Sequence, residues 1–582
     1  MKGVNNILDN DEEIIKLAEV IILRNALDYN GKARIDSVIS KILGSNPELK
    51  KKIKIIIPKV KEMLEHINSL PIQEQKILLI NKSPENIESK KKIEKTQSLL
   101  PPLDKAEFGK VVTRFPPEPN GYPHIGHAKA AIIDEEYAKM YSGKLILRFD
   151  DTNPLNEKVE YYDAIMEGIS WLNITPDIIK NTSDDIYLLH QYGKKLINKN
   201  KAYVCTCDQI TIHDLRSKGI PCQCRKDSEN ILENSDKIFN GYYHQNQAII
   251  RFKGDMDSSN TAMRDPTLFR IIEASHPKLG AKVTLWPTYD FAAPIEDSLD
   301  GVTHALRTKE YELRNEVYRQ ILLGLDMRVP EVIEFSRLEF EGLPVSKRKL
   351  KPLIEEKKVE GWSDPRLPTL MGLKRRGFTS EAIRRFVLSL GITLSETKPS
   401  IEILESFNRK IIDSQSKRLF FVNAPFKITI KNTVPKEVTI KNHPSLNMGE
   451  RKIKVNDTVF ISYQDAEKLN KGIEIRLIDL YNIKISWIDK DKKEGVADYT
   501  DDIIKGNIKK IQWVSDLNSM TYKIIKPNKL FIEDKFNSNS LETLEGLVES
   551  FVTTLPTDTM TQFIRIGFCR IENNESAIFT HK

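Results

Sequence analysis

Arg114-Phe-Pro-Pro-Glu-Pro-Asn-Gly-Tyr-Pro-His-Ile-Gly-His-Ala-Lys129 is the stretch whose reading decides the fold. The apolar run Val111-Val112 leads into it, and residues 111–115 predict a short buried strand. The prolines and glycine between 116 and 123 predict a loop. Ala128, Ala131 and Ile132, spaced i, i+3, i+4, predict a helix over 124–140. On that reading His124 and His127 fall in the first turn of the helix.

A helix N-terminus presents unpaired N–H groups and partial positive charge, so the phosphate chain of ATP is stabilised there. His124 and His127 add donors, and Gly126 lets a nucleotide approach closely. The chain contains no Gly-x-Gly-x-x-Gly run and no Walker-type Gly-Lys-Ser/Thr loop, which argues against the two commoner nucleotide sites. Two histidines three apart also read as a metal pair or as satisfied surface groups. Their Pro-Pro-Glu-Pro-Asn-Gly-Tyr context favours the nucleotide.

With its context, the histidine string resembles the His-Ile-Gly-His signature of class I aminoacyl-tRNA synthetases, and the longer string resembles their glutamyl/glutaminyl branch. That class carries a mobile Lys-Met-Ser-Lys-Ser loop, and Pro344-Val345-Ser346-Lys347-Arg348 stands in the expected later position. The first lysine of the general pattern is missing, so the resemblance gives Lys347 the ATP-phosphate role, with Ser346 and Arg348 beside it. A basic run such as Lys347-Arg348-Lys349-Lys351 is otherwise a solvated face. Here it precedes Gly361-Trp362-Ser363-Asp364-Pro365-Arg366-Leu367-Pro368-Thr369, a further string of the branch.

The resemblance also implies residue roles. Arg114 reaches the substrate side chain, Asp150 of Leu147-Arg148-Phe149-Asp150-Asp151-Thr152-Asn153-Pro154 accepts the α-ammonium, and Glu118 lies near the reaction centre. Tyr289 of Trp286-Pro287-Thr288-Tyr289 is the matched pocket residue. Eighteen positions on, glutamyl enzymes carry arginine where glutaminyl enzymes carry a small uncharged residue, and here the residue is Arg307. Arg114 and Arg307 are therefore expected to bracket an acidic side chain. A surface ion pair of Arg307 with Glu310 or Glu312 is the plainer alternative.

The chain has 582 residues, 40% hydrophobic, enough for roughly three to five domains. Its formal charge is 89 minus 82, or +7, which permits a polyanionic partner without requiring one. No apolar run approaches the ~20 residues of a membrane span, and Met1-Lys-Gly-Val-Asn-Asn lacks a signal-peptide pattern, so a cytoplasmic enzyme is expected. Four of five cysteines crowd into Cys205-Thr-Cys207 and Cys222-Gln-Cys224. Two such knuckles suit tetrahedral thiolate ligation, most simply structural zinc. Four reduced thiols on a polar hairpin remain the alternative, and the resemblance includes glutamyl enzymes with zinc in this region and others without it.

Element patterns predict a multidomain α/β chain. A helical N-terminal domain covers 1–80 and a flexible linker 81–108. A Rossmann-like parallel-sheet catalytic domain is built from 109–200 and 270–350, interrupted at 201–269 by an insertion that the resemblance assigns to the tRNA acceptor end. A helical connector follows over 351–423, and a β-barrel region over 424–582, to which the resemblance assigns anticodon binding. This order resembles glutamyl-tRNA synthetases of the archaeal and eukaryotic type and their glutaminyl relatives. Implied are ATP with Mg2+, L-glutamate and the tRNA for glutamate, with that for glutamine left open, in a monomer. Glutamine as substrate, or a non-catalytic tRNA-binding paralogue, are the competing expectations.

Overall fold

The computed structural model describes residues 11–28, 31–45, 53–71, 74–75, 78–79, 100–227, 230–396 and 398–582. The chain forms two compact units, Met1–Ser98 and Leu99–Lys582. In the first, helices α1 (Asp11–Asp28), α2 (Ile35–Ser45) and α3 (Ile53–Ser69) enclose Ile22, Leu23, Ala26, Val38 and Val60. The buried side chain of Gln75 binds the carbonyls of Gly31, Ile67 and Leu70, satisfying chain ends that the small core cannot cover.

Of the linker expected over 81–108, residues 81–99 lie outside the described residues. From residue 100 the chain already belongs to the second unit. Leu100 and Leu103 are buried in its core, and the Leu103 N–H donates to the Tyr141 hydroxyl at 2.8 Å. Pro101-Pro102 gave this segment a linker's composition, but its two leucines anchor it.

The second unit is built on parallel strands. β1 (Val112–Phe115) pairs with β2 (Lys144–Phe149), and β2 with β3 (Ile178–Asn181). The chain then leaves for an antiparallel sheet of β4 (Ala202–Cys205), β5 (Ile249–Phe252), β6 (Thr267–Ile271) and β7 (Leu285–Pro287). The inserted sheet thus ends at Pro287, beyond the expected boundary at 269. Strand β6 runs across residue 269 and pairs with β7, so the partner that closes the sheet lies beyond that boundary.

The chain returns with β8 (His304–Thr308), paired in parallel with β9 (Glu331–Phe335). Thr303 N–H donates to Val112 O and Val112 N–H to Thr303 Oγ1, both at 2.9 Å, setting β8 against β1. The spatial order is therefore β3-β2-β1-β8-β9. Its switch point lies between β1 and β8, where sheets of this kind bind ligands beyond the strand C-termini. Helix α4 (Ile125–Met140) covers the sheet with Ile125, Ala128, Ala131 and Ile132, all fully buried.

Helices Leu370–Arg376, Ser380–Leu390 and Ile401–Ile412 join the same core through Leu373, Ile383, Phe386 and Leu404. The connector was expected to run to 423. Instead Lys417–Leu419 and Phe421–Asn423 are already strands of a C-terminal sheet, each only three residues long and so too short to show an extended pattern. Strands from 417–423 and 519–581 make one seven-stranded sheet and strands from 425–515 a second, with Lys436–Lys441 and Glu450–Val455 paired as a hairpin of their own, as are Phe531–Ile532 and Lys535–Phe536. Trp513 is fully buried in the core of the second, its indole N–H on Ile478 O at 2.8 Å.

Candidate functional site

A cavity of about 920 Å3 opens at the C-terminal ends of β1, β2 and β8. Arg114, Glu118, His124, Gly126, His127, Asp150, Tyr289, Arg307, Ser346 and Lys347 all line it. Residues separated by more than two hundred positions are thereby brought to one place.

His124 is the N-cap of α4 rather than part of its first turn. Its Nδ1 accepts the Gly126 N–H at 3.1 Å, and the His127 Nδ1 accepts the His124 N–H at 3.2 Å, a capping box made of two imidazoles. An Nδ1 that accepts must be unprotonated, so each neutral ring carries its proton on Nε2. Burial lowers both pKa values, that of His127 to about 4. At neutral pH the pair therefore offers two uncharged Nε2–H donors beside a helix N-terminus.

The Gly361–Thr369 segment fixes this turn from outside. Ile125 N–H donates to Pro368 O and Leu370 N–H to Pro123 O, while Trp362 stacks on Tyr122 with centroids 5.4 Å apart. Gly126 is required by the protein itself. A Cβ there would lie 2.9 Å from His124 Cε1 and 3.3 Å from Leu338 O. The closeness that the sequence reading assigned to a nucleotide is occupied by the histidine ring.

On the other side of the cavity, charge is arranged around Asp297. Its Oδ1 holds Arg114 Nε at 3.0 Å and an Arg148 terminal nitrogen at 2.9 Å, and its Oδ2 accepts the Tyr318 hydroxyl at 2.9 Å. Burial opposes its charge, but the two guanidiniums hold its pKa below the ordinary carboxylate value. Arg114 also donates to Leu306 O at 2.6 Å, tying β1 to β8. Its charge is thus already balanced within the protein.

Arg307 differs. It is 5% exposed and, among the described residues, its only hydrogen-bond partner is the Tyr289 hydroxyl, at 2.9 Å. The rings of Tyr289, Tyr311 and Tyr318 surround the guanidinium with centroids 5.2 to 5.5 Å away. Its Nε and one terminal nitrogen are buried without a hydrogen-bond partner, and among the described residues it forms no ion pair. Of the two partners in the plainer alternative, Glu310 is held by Arg337 at 2.5 Å, and neither Glu310 nor Glu312 forms an ion pair with Arg307. A buried cation lacking an anion is costly, and an anion in the cavity at this point would offset that cost.

Asp150 sits between these regions. Its Oδ1 accepts Arg148 Nε at 3.0 Å and Thr182 Oγ1 at 3.1 Å. Burial raises the pKa of Glu118, whose Oε1 accepts Asn153 Nδ2 at 3.4 Å. From the far wall Lys347 reaches the Asn120 carbonyl and lies 5.0 Å over the Tyr161 ring. Burial and then Lys351 and Lys158 depress its pKa. Ser346 is the N-cap of helix Lys347–Glu355. Arg348 is exposed and does not line the cavity.

The chain belongs to the class I tRNA synthetases of the glutamate and glutamine group. Its catalytic-domain family, described as tRNA synthetases class I (E and Q), matches residues 110–414, and two anticodon-binding families of the same group match 416–502 and 510–572. The chain is 47% identical to the glutamate–tRNA ligase of Cenarchaeum symbiosum over 97% of its own length and 99% of that protein. It is 46% identical to that of Nitrosopumilus maritimus (98% and 100%) and 38% identical to that of Pyrococcus furiosus (98% and 100%).

This synthetase carries a second site away from the cavity. Sγ atoms of Cys205 and Cys222 lie 3.8 Å apart and those of Cys207 and Cys224 3.7 Å apart, and all four lie within 4.8 Å of one another. A tetrahedral ion with metal–sulfur bonds of ~2.3 Å has sulfur–sulfur edges of about 3.8 Å, so the four residues fit zinc. No other such cluster of side chains occurs among the described residues.

Sequence reasoning missed Asp297, Tyr311 and Tyr318. Only the acid gave a local signal, as one of two carboxylates, with Glu296, following the apolar run Phe291–Ile295 of helix Tyr289–Leu299.

Proposed function

We propose that the chain is a glutamate–tRNA ligase, and the observation that carries this is the unpaired guanidinium of Arg307. Family membership limits the substrate to glutamate or glutamine. A carboxylate compensates Arg307, whereas a carboxamide leaves its charge buried and unbalanced.

In this reading glutamate's side-chain carboxylate lies against Arg307 and the Tyr289 hydroxyl. Arg114, neutralised by Asp297, acts by shape and by ordering β8. Asp150 takes the α-ammonium, leaving the α-carboxylate turned toward the histidines. One of its oxygens attacks the α-phosphorus of ATP, and the bond to the bridging oxygen breaks to release pyrophosphate. The substrate supplies the nucleophile, so the enzyme contributes position and charge stabilisation. The Nε2–H groups of His124 and His127, the α4 N-terminus and Lys347 hold the phosphates. A terminal ribose hydroxyl of tRNA then attacks the glutamyl carbonyl, and AMP leaves with the bonding electron pair.

Magnesium would travel on the nucleotide's own oxygens and offset their charge. Zinc would be structural, held by Cys205, Cys207, Cys222 and Cys224. No helix among the described residues is long and apolar enough to cross a membrane, and action as a monomer is part of the same proposal. The cytoplasm, where tRNA and ATP meet, is the assigned compartment.

The test is aminoacylation with radiolabelled glutamate or glutamine on the tRNA for each. Glutamate charging of its own tRNA should dominate, and glutamine charging that exceeds it would end the proposal. The arm with glutamate and the tRNA for glutamine decides whether both tRNAs are substrates.

Gly126→Ala should raise the KM for ATP about tenfold in pyrophosphate exchange, because the new methyl displaces the His124 ring and small misplacements at a reacting centre cost one to two powers of ten. The KM for glutamate should change far less. Equal effects on both would show a general loss of fold instead.

A further inference from the structure

Arg251 lies outside the cavity and takes no part in the reaction as derived. It sits on β5, 1% exposed, with one terminal nitrogen 3.9 Å from Cys205 Sγ and 3.6 Å from Cys222 Sγ. Its Nε donates to the Asp265 main-chain oxygen at 3.0 Å, and its other terminal nitrogen is buried without a partner. It forms no ion pair with a carboxylate among the described residues. The nearby carboxylate of Asp265 is occupied by Arg225, the Gly254 N–H and the Tyr203 hydroxyl.

A guanidinium does not give up its proton in a protein, and burying it without an anion is heavily unfavourable. Four neutral thiols supply no such anion. Thiolates do, and four of them on one divalent ion leave a net charge of −2 that an adjacent cation offsets. N–H donation to ligand sulfur also fixes the orientation of the ligands.

We infer that Arg251 is the positioning residue of the four-cysteine metal site, holding Cys205 and Cys222 as thiolates and balancing the charge of the bound ion. Its bond to Asp265 O further ties that site to Pro266 and Thr267, which line the cavity. The inference rests on the zinc reading above.

Zinc affinity of the full-length protein, measured by competition with a chromophoric chelator, tests it. Wild type should bind one zinc per chain. Arg251→Met should bind it about 10- to 100-fold more weakly, the usual effect of losing an outer-shell partner. Arg251→Gln, which keeps donors but no charge, should lose nearly as much, and Arg251→Lys should recover most of the affinity. Cobalt substitution gives a second readout that does not depend on activity: the sulfur-to-cobalt band should shift in the Met and Gln variants. Wild-type protein that binds no zinc overturns the metal reading and this inference together. Wild-type binding matched within twofold by both Met and Gln variants overturns this inference alone.

Discussion

Replacing Arg307 by methionine should lower kcat/KM for glutamate by about 30- to 4,000-fold, the equivalent of ~2–5 kcal/mol for loss of one partner of a desolvated charge pair. The free enzyme already bears the cost of that charge, with two N–H-bearing nitrogens buried and unpartnered. On the proposed reading, the carboxylate of glutamate relieves it. A side chain of similar length without charge removes both the cost and the gain, so the melting temperature should stay level or rise while activity collapses. Arg307→Lys keeps the charge but not the planar fork facing Tyr289, and should fall between wild type and Met. Steady-state charging kinetics with a thermal melt of each variant decide the matter. A Met variant within threefold of wild type, or one that loses activity and stability together, would remove Arg307 from the substrate site. Glutamine should gain nothing in either variant, because the pocket still lacks a donor and acceptor set made for an amide.

That prediction depends on a feature no local sequence pattern contains. Strand, loop and helix over 111–140 are legible because their signals lie within a few residues: apolar spacing in the strand and helix, and prolines with a glycine in the loop. The motif strings bring Arg307 to the pocket only by resemblance. Whether its charge is free depends on what faces it from Tyr289, Tyr311 and Tyr318 and on what does not. Arg114 makes the same point in reverse. As a motif residue it reads as a second cation for the substrate, yet Asp297, 183 positions away, takes its charge. Two arginines that look equivalent in the string are unequal once folded, because compensation is a long-range property.

Element positions depart from the expected limits for a related reason. Composition marked 100–108 as linker and residue 269 as the end of the insertion. Buried Leu103 and the pairing of β6 with β7 are settled by partners elsewhere in the chain. Gly126 shows a third case: the type of residue needed was legible, but the atoms demanding it were the protein's own.

The same distinction between motif and exposure separates Lys347 from Arg348. Both belong to the basic run, and the sequence gives each a share of the phosphate site. Lys347 enters the cavity, its ammonium on the Asn120 carbonyl and over Tyr161, partly stripped of water and repelled by Lys158 and Lys351. A phosphate chain would give it the anion it lacks, and that gain grows as charge builds on the departing pyrophosphate. Lys347→Ala should therefore lower kcat for ATP–pyrophosphate exchange by about 10²- to 10³-fold, the range for losing one preorganised donor at a developing charge. Arg348 points to solvent, where a cation interacts with substrate only through screened water. Its alanine variant should stay within about threefold of wild type at 0.15 M salt, losing somewhat more at low salt. If Arg348→Ala were as damaging as Lys347→Ala, the loop would have to rearrange enough on binding ATP to bring both cations onto the phosphates. If Lys347→Ala left exchange untouched, the phosphates would be held by the histidine turn alone.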